Sequence, residues 1–232
     1  MSEFAYAGSE LHIFEHARRW KAYFTAVLAP WLRGEILEVG AGIGANAQFL
    51  EAHGERWVCL EPDRELLEEL ARRLPAHERR ELILGTLEQV GVARRFDAIV
   101  YVDVLEHIED DAGELRGAAA HLKAGGRLIV LAPAHGWLYS AFDRRIGHHR
   151  RYTKATLRAI APDGLREEAL RYLDSAGLLA SAANRLLLRR EMPTRRQIEA
   201  WDRWLVPISR RLDRVFGYCL GKSVVAVWSK PV

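Results

Sequence analysis

Short apolar runs alternate with amphipathic stretches along most of the chain. Runs at 36–39, 57–60, 81–84, 96–104, 127–131, 165–173 and 223–228 predict strands. The run at 96–104, FDAIVYVDV, is apolar without a polar phase, as in a strand buried on both faces. Between the runs lie helical patterns. One spans 63–74, with Asp63 as its N-cap after Pro62 and Pro75 as its stop. Another leads to residue 122, before the turn 123–126, and a third follows the capping Thr153 to residue 161. Strands alternating with helices predict an α/β fold with a doubly wound, mostly parallel sheet. Upstream, Ile13, Phe14, Ala17, Trp20, Phe24, Val27, Leu28 and Trp31 recur at helical spacing over 10–32. This helix should pack on the sheet, although Tyr6, Trp20 and Tyr23 could instead close over a ligand. Downstream, helices are expected over 176–190 and 194–216, the second kinked at Pro207. The run at 223–228 is expected to be an antiparallel edge strand.

Around residues 35–63 this alternation acquires chemistry. The first run passes into Gly40, Gly42 and Gly44, then a helix-like segment, a second run and Glu61. Such a unit binds a nucleotide-like ligand at the carboxyl edge of a parallel sheet. An acid at Glu61 can accept hydrogen bonds from both hydroxyls of a ribose. The spacing is G-x-G-x-G rather than the dinucleotide G-x-G-x-x-G, and Glu38 stands two residues before Gly40. A carboxylate there repels a pyrophosphate and suits a cationic ligand end. The string E-V-G-A-G-x-G, with Glu61 seventeen residues after Gly44, resembles motif I of the class I S-adenosylmethionine-dependent methyltransferases.

The resemblance extends through D-V-L-E-H-I at 103–108 and L-K-A-G-G-R-L-I-V at 122–130. The strings F-D-R-R-I-G-H-H-R-R-Y-T and G-K-S-V-V-A-V-W resemble a bacterial group of these enzymes often found near glycosyltransferases. It implies a Rossmann-like, seven-stranded methyltransferase fold with an N-terminal helix and a C-terminal helical insertion. One domain, 1–232, would carry a cap at 1–33, an active-site loop at 133–152 and an insertion at 176–217. The implied cofactor is S-adenosyl-L-methionine, held by Glu38, Gly40, Gly42, Gly44, Glu61, Pro62, Thr86, Leu87 and Asp103. Thr86 and Leu87 depart from the family's usual acid and small residue at the adenine turn. The reaction implied is methyl transfer to a small-molecule acceptor, oxygen slightly ahead of nitrogen, with the acceptor lipid- or sugar-linked in one version. The competing readings are a nicotinamide-dependent oxidoreductase and a non-catalytic ligand-binding module.

If the acceptor must lose a proton, His107, His148 and His149 are the candidate bases, because imidazole titrates near neutrality. The plainer alternative has His107 orienting the helix after the fourth strand and one of the paired histidines facing water. Arg150, Arg151 and Tyr152 either bind an anionic acceptor or brace the loop. Asp103, Glu106, His107 and His149 resemble the E-x-x-E-H set, with a distal His, of small-RNA 2′-O-methyltransferases and some ubiquinone-pathway O-methyltransferases. That variant would be a divalent-metal-assisted O-methyltransferase. The leading expectation is no metal.

A length of 232 residues accommodates one α/β domain with additions. Two cysteines, Cys59 and Cys219, make no disulfide framework, so a reduced, cytoplasmic protein is expected. No export pattern is visible, and no apolar run nears the ~18 residues that span a bilayer. A net charge of +3 argues against a dedicated nucleic-acid partner. From Arg185 to Arg214, however, nine arginines face four acids, a local +5. A solvated helix face is the expectation, with peripheral contact to an anionic lipid surface as the alternative.

Overall fold

Seven strands form one sheet in the computed structural model, which describes residues 11–183 and 194–232. They are β1 (Glu35–Val39), β2 (Arg56–Glu61), β3 (Arg80–Leu84), β4 (Phe96–Val102), β5 (Leu122–Pro133), β6 (Arg166–Leu173) and β7 (Ser223–Ser229). Their spatial order is β3-β2-β1-β4-β5-β7-β6. β1 to β5 are parallel, and β7 is antiparallel to both neighbours. The order reverses between β1 and β4, and open sheets hold ligands in the crevice beyond the carboxyl ends at such a point. Tyr6 and the end of the helix expected over 176–190 lie outside the described residues.

Alternate residues of each central strand feed two apolar layers. Ile36, Trp57, Ala98 and Ile129 face one; Leu37, Val58, Ile99 and Leu128 face the other. The first layer is closed by α2 (Arg18–Leu28), α3 (Ala47–Leu50) through Ala47 and Leu50, Leu70 of α4 (Arg64–Arg73) and Val206 of a C-terminal helix. The second is closed by α5 (Asp111–Ala120) and α7 (Lys154–Ala159) through Leu115, Ala118 and Leu157. Two expectations change here. The turn at 123–126 is absorbed into an irregular opening of β5: Phe96 pairs with Leu122, and the register slips before Ala98 pairs with Arg127. β7 is an interior strand, bonded on both sides, and β6 takes the edge.

The helix expected over 10–32 is two, α1 (Leu11–Phe14) and α2. α2 begins where it does because a remote carboxylate caps it. Asp202 accepts from the backbone N–H of Arg19 at 3.1 Å and of Trp20 at 2.8 Å. Trp20 and Tyr23 are core residues and not a ligand cover: Trp20 meets Phe24 edge-on at 5.6 Å, and Tyr23 donates to Asp213 at 2.8 Å. At the other end, α8 (Ser175–Ala183) is followed by α9 (Arg195–Ala200), a π turn at Trp201–Leu205 and α10 (Val206–Val215). The irregularity expected at Pro207 is this wider turn just before it. Pro207 cannot donate to the carbonyl of Arg203, which accepts from the Arg19 guanidinium at 2.8 Å instead.

Two buried carboxylates tie these ends together. Asp213 accepts from Tyr23 Oη and from the N–H groups of Asp174 at 2.7 Å and Ser175 at 3.0 Å. Asp174 accepts from Trp201 Nε1 at 2.8 Å and from Gly177 N at 3.0 Å. Among the described residues, no helix is long and apolar enough to cross a membrane.

Candidate functional site

β1 leaves the sheet at Gly40, whose N–H donates to the carbonyl of Leu60 at 2.8 Å. Gly40 has φ +69°, and a Cβ there would stand 2.6 Å from Val104 Cγ2. At Gly44, with φ +76°, it would stand 2.8 Å from Leu70 Cγ. Only glycine meets both the backbone and the packing demand at these two positions. Glu61, at the end of β2, folds onto this bend. Its Oε2 accepts from Gly42 N at 2.7 Å and its Oε1 from Asp63 N at 3.0 Å. Burial raises its pKa more than those two N–H groups lower it. Asp63 caps α4 as expected, accepting from Glu65 N at 2.8 Å and Leu66 N at 3.1 Å.

Glu38 is buried on the α2 side of the sheet. Its Oε2 accepts from Trp57 Nε1 at 2.8 Å, and its Oε1 has no hydrogen-bond partner among the described residues. Burial pushes its pKa up to about 8, the Trp57 bond only partly opposing this. At the turn after β3, Thr86 N donates to Gln89 Oε1 at 2.7 Å and Thr86 is exposed. Leu87 is buried in the layer under α5, so its side chain is committed to the core.

β4 ends one residue before Asp103, which leaves it at φ +54°, a conformation unusual for a side chain with a Cβ. Asp103 is exposed to solvent at the carboxyl end of β4. Crowding by surrounding protein raises its pKa, while His148, Lys21, Lys222 and Arg151 pull the other way. Neither lysine stands out in the sequence. Lys21 is buried, donates to the carbonyl of Phe14 at 2.7 Å, and is pushed down to about 8 by desolvation, against the pull of Asp103 and Asp202. Lys222 lies 3.5 Å from Asp174 and 3.6 Å over the Trp201 ring, and burial lowers its pKa. Lys222 lies within the string quoted for the bacterial group; the only sequence signal for Lys21 is a cation beside the apolar positions of α2.

The turn Leu105–His107 brings in a third group. Glu106 is fully buried with neither carboxylate oxygen hydrogen-bonded among the described residues. Burial, then the charge of Asp103, holds its pKa well above the usual range. One ligand atom each from Glu106, His107 and His148 lies within 4.8 Å of the others. The His107 and His148 rings meet edge-on at 4.6 Å. Burial first, then His148 and His149, push His107 down to about 3. The exposed His149 is absent from this cluster, and His148 takes the place the sequence reading gave it.

Behind His148 stands Asp143, at the start of α6 (Ala141–Arg145) in the 133–152 loop. It lies 2.9 Å from His148 Nδ1 and accepts from Arg151 Nε at 2.7 Å and Ser140 N at 2.8 Å. Burial alone would raise its pKa, but His148 and Arg151 hold it well below the carboxylate range. Tyr152 donates to the Leu105 carbonyl at 3.1 Å and to Asp111 at 2.8 Å, and Arg150 pairs with Asp111 at 2.6 Å. Arg150, Arg151 and Tyr152 therefore brace the loop. Opposite, Leu11 of α1 lies over Gly42, 3.5 Å from where its Cβ would be, and Phe14 meets Phe142 at 6.4 Å between centroids. α1 and the loop thus approach each other above the sheet edge.

A family model described as a methyltransferase domain matches residues 37–128. A ubiquinone biosynthesis O-methyltransferase of Bradyrhizobium diazoefficiens is 27% identical over 105 residues, 44% of this chain and 41% of that protein. The match thus spans about two fifths of the length of that curated relative. Among solved structures, a chain of the complex between the Trm112 methyltransferase activator and a methyltransferase of Haloferax volcanii superposes with TM-score 0.67. It is 16% identical, with 97% of this chain and 96% of that one covered. The N-methyltransferase NodS of Bradyrhizobium japonicum WM9, solved with S-adenosyl-L-homocysteine, gives TM-score 0.58 at 17% identity, covering 94% and 86%.

Proposed function

We propose, from the methyltransferase-domain match over residues 37–128 and the fold, that the chain is a class I S-adenosylmethionine-dependent methyltransferase acting on a small-molecule acceptor, at oxygen slightly ahead of nitrogen. The observation that carries the reading is Glu61 drawn against the glycine bend by Gly42 N and Asp63 N. We read the whole chain as one methyltransferase unit, with 1–33 as its cap, 133–152 as its active-site loop and 176–217 as its helical insertion. We also propose a cytoplasmic setting, in which Cys59 and Cys219 stay reduced as the free thiols they are here.

The residues fit the cofactor. Glu61 would accept from the ribose hydroxyls, and the backbone of Gly40, Gly42 and Gly44 would border the ligand. Pro62, exposed Thr86 and the backbone of Leu87 would flank its base. The unpartnered Oε1 of Glu38 and the carboxylate of Asp103 suit its ammonium end. When bound, the cofactor supplies a sulfonium methyl open to in-line displacement. The chain's contribution is then alignment, exclusion of water and removal of the acceptor's proton. His148 is the best-supported base: if Asp143 accepts from its Nδ1–H, Nε2 keeps its lone pair. His107, with a pKa of about 3, is too weakly basic, and His149 faces water. S-adenosylhomocysteine should protect the protein from thermal unfolding where NAD does not, and an acceptor screen should yield a methylated product. Protection by NAD alone overturns the reading. His148→Ala should lower turnover with little change in S-adenosylhomocysteine affinity.

A second reading, favoured by the Glu106 carboxylate, which accepts no hydrogen bond among the described residues and lies 3.7 Å from His148 Nε2, beside His107, is metal-assisted O-methylation. A carboxylate with two imidazoles suits Mn²⁺ or Zn²⁺. On this reading His148 is a ligand and not a base. Turnover that survives chelation, with no metal retained by mass spectrometry, excludes it.

A further inference from the structure

A groove lies away from the glycine edge, between α2 and α10. It encloses about 490 Å³ and is lined by Arg19, Arg210, Arg211, Arg214, Val206 and Pro207. Residues 195–215 form one helical run through the π turn, and its outward surface divides into two stripes. Arg203, Arg210 and Arg214 follow one another at helical spacing along the first, with Arg211 at its border. Trp204, Ile208 and Val215 follow along the second, 61%, 45% and 78% exposed, and Phe216 continues it at 50%. Trp204 carries the Arg203 guanidinium 4.9 Å over its ring.

The charge on this face is one-sided for a structural reason. The acids of the same run, Asp202 and Asp213, are turned inward to cap α2 and to bind Tyr23, Asp174 and Ser175. Glu199 pairs with Arg195. No carboxylate pairs with Arg203, Arg210, Arg211 or Arg214 among the described residues. A cationic stripe alongside exposed Trp, Ile, Val and Phe has the composition of a helix lying in a lipid–water interface. Its apolar edge would enter the acyl boundary while the arginines meet headgroup phosphates.

We propose that this helical face docks the protein on an anionic phospholipid surface. The groove between α2 and α10 is the part that receives headgroups. A second copy of the chain fits this face less well, because two-fold pairing would set the arginine stripe against itself. Nucleic acid would satisfy the arginines but leave the apolar stripe in water.

Vesicle flotation of the full chain tests this without reference to methyl transfer. Phosphatidylcholine vesicles carrying about 30 mol % phosphatidylglycerol should carry the protein up the gradient, and pure phosphatidylcholine should not. Binding should fade towards about 0.5 M salt, where screening shortens the reach of each charge. The double variant Arg210→Glu, Arg214→Glu should weaken partitioning by about 30-fold or more. Trp204→Ser with Ile208→Ser should also weaken it while preserving the salt dependence. All four side chains are exposed, so thermal unfolding of both variants should match the parent. Equal flotation with both vesicle types, or variants that float like the parent, overturns the proposal. So does a concentration-dependent dimer abolished by Trp204→Ser with Ile208→Ser.

Discussion

Glu38→Gln isolates the protonation of one buried carboxyl. Glutamine keeps an acceptor for Trp57 Nε1 and the same shape, and it cannot ionise. In the free protein, burial lifts the Glu38 pKa from 4.5 to about 8. Because the folded value is the higher one, the stabilising contribution is complete below about pH 4.5. It is lost as pH rises through about 8, where the folded state must accept a buried charge. At ~1.36 kcal/mol per pH unit, the displacement corresponds to at most about 5 kcal/mol of lost stability. Urea unfolding of parent and variant from about pH 5 to pH 9 should show their stability difference shifting in favour of glutamine up to about pH 8 and levelling off above it. A difference that stays flat across that range refutes the raised pKa and the burial argument behind it. Saturation with S-adenosylhomocysteine should then flatten the parent's curve, because an ammonium at Oε1 would give the ionised form a partner.

Three further perturbations probe other parts of the argument. Glu61→Ala should weaken S-adenosylhomocysteine binding by about 1–3 kcal/mol in calorimetry, as for lost hydrogen bonds to a charged acceptor. Unchanged affinity would remove Glu61 from the site. Gly40→Ala should destabilise the protein by about 2–5 kcal/mol, through left-handed strain and overlap with Val104. Equal urea midpoints would contradict this. Asp213→Ala strands three donors, Tyr23 Oη, Asp174 N and Ser175 N, and should cost about 3–5 kcal/mol, read as a lowered melting temperature.

The sheet and the glycine bend were legible because their causes are local. Uninterrupted apolar runs mark the buried strands, and Gly40 to Gly44 followed by Glu61 marks the bend at the carboxyl ends of β1 and β2 without any knowledge of the rest. Asp63 and Thr153 were recognisable as caps for the same reason. What escaped notice depends on distant partners. The break between α1 and α2 is fixed by Asp202, 182 residues from Trp20, and no periodicity near residue 15 carries that information. Lys21 and Lys222 look like surface cations until the fold sets them near Asp103. Proposing His148 and not His149 as the base rests on Asp143, which lies 2.9 Å from His148 Nδ1. β7 as an interior strand follows from the sheet's order, to which its own seven residues are indifferent.

The long reach of the carboxylate caps bears on how the polypeptide matures. On the ribosome, α2 emerges early, but Asp202 and Asp213 are translated only after nearly all of the sheet. Until they arrive, the first-turn amides of α2 and the Tyr23 hydroxyl have no native acceptor, and Trp20 and Phe24 lack much of their cover. The nascent chain must therefore carry α2 as an aromatic, unsealed segment until the C-terminal helices that hold Asp202 and Asp213 have been made.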